Sequence, residues 1–184
     1  MIVLLIYAAL AILFSFLCSI WEAVLLSMPD SFVEVKVNEG DAVGLKLKAM
    51  KKDIDRPLSA ILSLNTVAHT VGAILVGQQA EAVYGDGGMM LFGQSIPFTG
   101  IVASVMTLAV LILSEIIPKT LGANYWRNLA GFTARSLQVV MVLMYPLVWL
   151  SQGITRLLKG DGHATKVSRE GLSAMARIGS KEGK

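Results

Sequence analysis

Residues 96–119 read IPFTGIVASVMTLAVLILSEIIPK, and this stretch decides the class of the fold. An apolar run of this length approaches the roughly 20 residues that a helix needs to cross a bilayer. Glu115 stands at its end, where a carboxylate in hydrocarbon costs about 2.5 kcal/mol or more. Membrane proteins that keep such a group generally use it on an ion or proton path, so Glu115 is the first candidate functional residue.

The composition agrees with a membrane domain. The chain has 184 residues, of which 54% are hydrophobic and 16% charged, and its mean hydropathy is +0.65. Soluble domains have about 45–50% apolar and 25% charged residues. The apolar residues cluster near 2–28, 57–84, 97–118 and 129–158. We therefore predict an all-α integral membrane protein in contact with the lipid bilayer, and the net charge of +3 gives no indication of nucleic-acid binding.

The distribution of basic residues predicts the orientation. The connector 29–56 is rich in lysine, whereas the connector 85–95 has neither lysine nor arginine. Cytoplasmic connectors carry the excess of basic residues, so the first connector is expected inside and the second outside. The prediction is a multi-pass protein of the cell (plasma) membrane, with its N-terminus outside and its C-terminus in the cytoplasm.

The fourth apolar stretch conflicts with this orientation. If it crossed the membrane, the basic tail after it would lie outside, against the same rule. It also contains Pro146, and proline in a helix interior kinks the chain. We predict that residues 124–158 form a bent, interfacial or re-entrant element, which leaves three transmembrane helices; four spans with an external tail is the alternative.

The polar segments between and after the spans complete the predicted domain organisation. Residues 31–55 mix lysines with apolar residues, which favours juxtamembrane helices along the cytoplasmic face, although a solvated loop is an alternative. The transmembrane ion-transport domain is predicted to cover 1–158. Residues 159–184 are predicted to be a linker and the start of a cytosolic helical bundle.

Polar side chains recur inside each predicted span. In the first span, Ser15, Ser19 and Glu22 follow i, i+4, i+7 spacing and share one helix face. Most of the polar groups offer oxygen, which hard cations such as Mg²⁺ prefer, and Na⁺ would suit the same oxygens. The candidate metal ligands are Ser19, Ser63, Asn65 and Glu115, with Glu22, Thr66, His69 and Ser114 as weaker candidates.

Each of these polar groups also has a structural interpretation. Lys119 follows Glu115 by one helical turn, so the two could form an ion pair. Glu22 could reach the membrane edge, and His69 could be a packing group with its hydrogen bonds satisfied. Pro118 is expected to break the third helix and free backbone carbonyls for the ion.

Three segments resemble one known family. SIWEAVLLS (19–27), LSLNTVAHTV (62–71) and SEIIPKTLG (114–122) are similar to motifs of the CorC/CNNM (cyclin-M-like) magnesium transporters. The third segment is the most specific, since it matches a signature in which Pro-Lys-Thr begins three positions after an acidic residue. Ser114 departs from the glycine that is usual in that signature.

The resemblance implies both an architecture and an activity. It implies a homodimer with three spans and juxtamembrane helices that exports Mg²⁺ coupled to Na⁺. Full-length members carry cytosolic regulatory CBS-pair domains, which are absent from these 184 residues. Ser19, Asn65 and Glu115 match the family's polar residues in the three spans. A non-transporting magnesium sensor is the alternative function, and no nucleophile with a matched base indicates an enzyme.

Overall fold

The computed structural model describes residues 1–85, 87–91 and 94–159. The chain divides into two units, Met1–Gln152 and Gly153–Lys184. The predicted start of a helical bundle after residue 159 lies outside the described residues.

Helices make up nearly all of the described chain. In order they are α1 (Ile2–Ser27), α2 (Asp30–Asn38), α3 (Ala42–Lys52), α4 (Asp55–Tyr84), α5 (Phe98–Ala109), α6 (Ile117–Asn124), α7 (Trp126–Leu143) and α8 (Tyr145–Lys159). A π-helical segment, Val110–Ile116, joins α5 to α6 without a break. An antiparallel hairpin of β1 (Gly88–Leu91) and β2 (Gln94–Pro97), which the sequence did not predict, precedes α5.

Three helices are long and apolar enough to cross a membrane. They are α1, α4 and the continuous helix Phe98–Asn124, with mean hydropathies of 2.6, 1.6 and 2.3 over their most apolar windows. This confirms the predicted all-α membrane domain with three spans. The third span continues past its predicted end at residue 118. Pro118 lies in the first turn of α6 and does not interrupt the continuous helix.

The first helix is the centre of the domain. It packs against α4, α6, the π segment and α7. Cys18, Ser19, Ile20 and Trp21 are all buried, and four successive residues at 100° steps point around the whole circumference of a helix. This part of α1 is therefore enclosed by protein, and the two core clusters that contain it include Val33, Leu47, Met50, Ala60, Ile61, Ala130, Ala134, Leu137 and Val140.

The connector after α1 is helical, as predicted, rather than a solvated loop. The Asp41 carboxylate caps α3 by accepting a hydrogen bond of 2.8 Å from the Val43 N–H. Leu47 is buried in the core, whereas Lys48 points outward and pairs with Glu34 at 2.9 Å. The apolar face of α3 thus closes the core, and its lysines remain on the outer surface.

The fourth apolar stretch is bent, as its sequence indicates. Helix α7 ends at Leu143, and Trp126–Leu143 meets Tyr145–Ile154 at 76°. Pro146 lies in the first turn of α8, where its missing N–H removes no helical hydrogen bond. A bent pair of this kind is a broken span or a re-entrant loop, which gives four or three crossings by length and composition.

Close packing of α6 on α1 depends on Gly122. A Cβ atom at this position would lie 2.8 Å from the Ala23 Cβ and 3.0 Å from the Ile20 carbonyl oxygen. Both distances are shorter than ordinary van der Waals contacts, and the second partner is backbone that cannot rotate away. The third span can therefore approach α1 only where no side chain intervenes.

We expect Gly122→Ala to lower the free energy of unfolding by about 1–3 kcal/mol, because the added methyl group overpacks the interface between α1 and α6. Gly131→Ala in α7 is the matched control, since a Cβ there meets nothing within 4 Å. It should be neutral or stabilising by about 0.5–1 kcal/mol through helix propensity. Thermal unfolding of the purified variants in detergent tests this, and equal midpoints for the two would contradict the packing argument.

Candidate functional site

One face of α1 makes polar contacts with two other spans. The Ser15 Oγ lies 2.6 Å from His69 Nε2 on α4. Seven residues later, Glu22 Oε2 lies 3.4 Å from Lys119 Nζ on α6. At 1.5 Å per residue the two contacts are about 10 Å apart along α1. Ser19, which is 2% exposed, lies on the same face between them.

The contacts between α1 and α4 bring Ser19 to the level of Asn65. These helices run antiparallel, with Ser15 opposite His69 and Ala11 packed against Gly72. Ser19 follows Ser15 by four residues on α1, and Asn65 precedes His69 by four residues on α4. The register therefore places Ser19 and Asn65 at the same level along the two helices, one helical turn from the bond between Ser15 and His69.

Asn65 holds a polar atom that the folded chain does not satisfy. Its Oδ1 is buried and has no hydrogen-bond partner among the described residues. An acceptor left in this state costs about 1–3 kcal/mol, so native proteins seldom keep one without a reason such as a bound ion or water. A lone-pair oxygen directed into the protein is also the type of ligand that a hard cation takes.

The third span changes its hydrogen-bond pattern at the acidic residue. The Ile117 N–H donates to the Ile112 carbonyl, five residues back, as in a π-helix. Pro118 has no N–H, so in the π pattern it cannot donate a hydrogen bond to the Leu113 carbonyl. In an α-helix, the proline ring would also crowd the carbonyl of the residue four positions earlier. The predicted break at Pro118 is thus wrong in form: a single π turn, often found at functional sites, replaces it.

Glu115 lies within this π segment. Its side chain is half-buried, and no hydrogen bond or ion pair to it occurs in the described part of the chain. The third span runs in the same direction as α1 and packs Gly122 against Ile20 and Ala23. Glu115 precedes Gly122 by seven residues, or about 10 Å, which brings it to within about one turn of Ser19 along α1.

Lys119 does not take the partner that its spacing indicates. Its ammonium group pairs with Glu22 on α1 instead of with Glu115 on its own helix. The predicted alternative of a Glu115–Lys119 ion pair is therefore not the arrangement found. Lys119 and Glu22 pair with each other, so Glu115 is left without an opposite charge in the described structure.

The remaining candidates are engaged elsewhere or point away. His69 is bonded to Ser15, and the exposed Thr66 donates its hydroxyl to the Leu62 carbonyl at 2.8 Å. The buried Ser114 donates to the Val110 carbonyl at 2.6 Å. Ser63 is two residues from Asn65, and side chains at this spacing lie on nearly opposite faces of a helix, so the structure does not bring these two together.

Sequence reasoning left out two buried hydroxyls. Ser15 belongs to the predicted polar face but not to the predicted ligands, although it is completely buried and contacts α4. Thr133 on α7 is also completely buried, and its Oγ1 has no described hydrogen-bond partner. A lone threonine in an amphipathic helix gives no sequence signal, because many such residues bond to their own backbone.

The candidate ligands of the site are neutral oxygens and one carboxylate. Among the described residues, no three His, Cys, Asp or Glu side chains are grouped as they are in many metal centres. The atoms available as metal ligands are the oxygens of the Ser19 hydroxyl, the Asn65 side-chain amide (Oδ1) and the Glu115 carboxylate. Such a set suits a small hard cation and lacks the thiolate and imidazole ligands that zinc and copper prefer.

Three apolar spans, of which α1 is the central one, together with polar residues between them and a π turn, define a polytopic membrane domain with intramembrane polar residues. The profile of the cyclin M transmembrane N-terminal domain, CNNM, matches residues 6–184. Since this match covers nearly the whole sequence, the chain belongs to the CNNM family.

Relatives of the chain are longer proteins. A UPF0053 protein of Synechocystis is 29% identical over 174 residues, which are 95% of this chain and 47% of that protein. The UPF0053 inner membrane protein YfjD of Escherichia coli is 29% identical over 65% of this chain and 26% of its own length. A chloroplastic DUF21 domain-containing protein of Arabidopsis thaliana is 27% identical over 71% and 19%. The chain spans about half the length of the first relative.

The unpaired Asn65 oxygen leads to a stability prediction. In buffer without divalent cations, Asn65→Leu should raise the free energy of unfolding by about 1 kcal/mol, because it removes a buried acceptor that has no donor. The same variant should lose any rise in the thermal midpoint that a bound cation gives the wild type. Differential scanning fluorimetry in detergent, with and without added divalent cations, measures both effects. A variant less stable than the wild type without cations would show that Oδ1 is already satisfied.

Proposed function

We propose that this chain is a magnesium-transporting membrane domain that binds Mg²⁺ between its spans. The observation that carries the proposal is the buried Asn65 Oδ1 without a partner, level with the buried Ser19. Glu115 supports it, since its carboxylate has no hydrogen bond or ion pair in the described part of the chain and lies about a turn away. The proposed ligands come from three different spans, each of which packs on or belongs to the central helix.

The donor set favours Mg²⁺ because oxygen ligands and a single negative charge suit a small, hard ion. Magnesium dehydrates reluctantly, so protein oxygens must replace the water that it gives up. One carboxylate supplies the strongest of these contacts, and neutral hydroxyl and amide oxygens complete the protein's share. The Leu113 carbonyl, freed at the π turn, is a further oxygen on the same segment as Glu115.

On the basis of family membership, we further propose that the domain exports Mg²⁺ coupled to Na⁺ and that it is a homodimer. We also propose that it lies in the plasma membrane with its C-terminus in the cytoplasm. The greater length of the relatives fits a regulatory portion beyond this domain, such as a CBS pair. The second candidate function is a membrane magnesium sensor, which the same binding site would serve.

Glu115→Gln tests the binding site. The substitution keeps the size of the side chain and removes its charge, so we expect the affinity for Mg²⁺ to fall about a hundredfold or more, as a lost charge-assisted contact of roughly 3 kcal/mol would give. Isothermal titration calorimetry of the purified domain measures the affinity.

The matched control is Glu81→Gln, which neutralises an exposed carboxylate near the far end of α4. It should leave the affinity within about twofold of the wild type, since charges more than a Debye length of about 10 Å away are largely screened. If Glu115→Gln binds Mg²⁺ as tightly as Glu81→Gln does, the assignment of the site is wrong.

A flux measurement separates transport from sensing. Reconstituted in liposomes with an internal Mg²⁺-sensitive dye, the wild type should move Mg²⁺ across the bilayer, and an opposing Na⁺ gradient should speed the movement. Asn65→Leu and Glu115→Gln should each abolish the flux. A wild type that binds Mg²⁺ by calorimetry but gives no flux under either gradient would support the sensor.

A further inference from the structure

Lys119 has two carboxylates within reach, and the structure assigns it to one of them. Glu115 lies four residues earlier on the same helical span, at the spacing and in the order that favour a Glu–Lys pair. Glu22 lies on α1, and its Oε2 is 3.4 Å from Lys119 Nζ. The ammonium group therefore leans across the interface between α1 and α6 and away from its neighbour in sequence.

The ion pair is only partly enclosed by the protein. The side chains of Lys119 and Glu22 are 50% and 37% exposed, respectively. Where water reaches them, ion pairs this open contribute little to folding, because screening and side-chain entropy offset most of the attraction. The location of the charge is the larger effect, since Lys119 is the basic residue one turn from the proposed ion site.

We propose that Glu22 is a positioning residue that holds Lys119 away from Glu115 and so keeps the Glu115 carboxylate free for the cation. This inference rests on the proposed function, because it assigns a role next to that ion site. It differs from the prediction of Glu22 as a metal ligand: here Glu22 binds the lysine and leaves the ion to other residues.

The physical argument is competition for one carboxylate. A like charge close to an ion site repels the ion, and an ammonium group bonded to Glu115 would also occupy its oxygens. With Glu22 on α1, Lys119 has an alternative partner that it can reach without approaching the π turn. Once Glu22 is replaced by glutamine, the i, i+4 pair with Glu115 is the remaining ion pair open to Lys119 among the described acidic groups near it.

A double-mutant cycle tests this inference because its variants are predicted to change affinity in opposite directions. Glu22→Gln should weaken Mg²⁺ binding about tenfold, although Glu22 does not touch the ion. Lys119→Gln should bind as tightly as the wild type or up to about tenfold more tightly, since a competing positive charge is removed. The double variant Glu22→Gln/Lys119→Gln should recover the wild-type affinity. Calorimetric titration of purified wild type and variants with MgCl₂ provides the readout.

Glu34→Gln is the matched control, since it breaks the exposed ion pair between Glu34 and Lys48 on α2 and α3. It should leave Mg²⁺ affinity unchanged, and thermal midpoints without Mg²⁺ should show that all variants are folded. Three outcomes would overturn the inference. Glu22→Gln could bind as the wild type does; the double variant could stay as weak as Glu22→Gln, as for a direct ligand; or Lys119→Gln could weaken binding as much as Glu22→Gln, as for a purely structural pair.

Failure of this inference is distinguishable from failure of the proposed function. If the wild type binds no Mg²⁺, or if Glu115→Gln binds as well as the wild type, the ion site itself is wrong. If Glu115→Gln loses binding and Glu22→Gln does not, the site stands and only the role of Glu22 is rejected.

Discussion

Polar groups inside a bilayer must find partners within the protein, and the arrangement of α1 follows from that requirement. Its polar face would be costly against lipid, so the helix occupies the centre of the domain with other spans around it. Ser15 meets His69 on α4, and Glu22 meets Lys119 on α6. These contacts align the other two spans with α1. The space between the two contacts is then set by the backbone geometry of α1, and it contains Ser19.

The local geometry of the third span has a covalent cause. Proline at 118 cannot donate a backbone hydrogen bond, and its ring crowds the preceding turn of an α-helix. The chain responds by widening one turn into a π segment rather than ending the helix. This response keeps the span continuous while it leaves a carbonyl without its usual donor beside Glu115. Gly122, one turn beyond the proline, then allows α6 to lie directly on α1, so the π turn is held firmly against the central helix.

The sequence predicted the parts of this structure that depend on local chemistry. Apolar length identified the three spans, and i, i+4 spacing placed Ser15, Ser19 and Glu22 on one face. What it could not predict depends on which helices become neighbours. The choice of Lys119 between Glu22 and Glu115 is set by the interface between α1 and α6, and no spacing within one helix encodes it. In the same way, Ser63 and Asn65 are close in sequence, but only the register with α1 shows that Asn65 faces inward. The hairpin before α5 has little alternation of apolar and polar residues, so its sequence predicts only a connector.

Charge balance links the fold to the proposed transport function. A carrier must bind its ion and also release it, so a site with too many uncompensated carboxylates would hold a divalent cation too tightly. In the described spans Glu22 pairs with Lys119, which leaves the Glu115 carboxylate without an opposite charge about one turn from the level of Ser19 and Asn65. A divalent ion on one carboxylate keeps an excess positive charge, which is costly in hydrocarbon and favours release. Without an ion, the proposed site would hold one negative charge and one unpaired amide oxygen, which is also unfavourable. The proposal therefore predicts that neither state is strongly preferred, as a domain that alternates between the two requires.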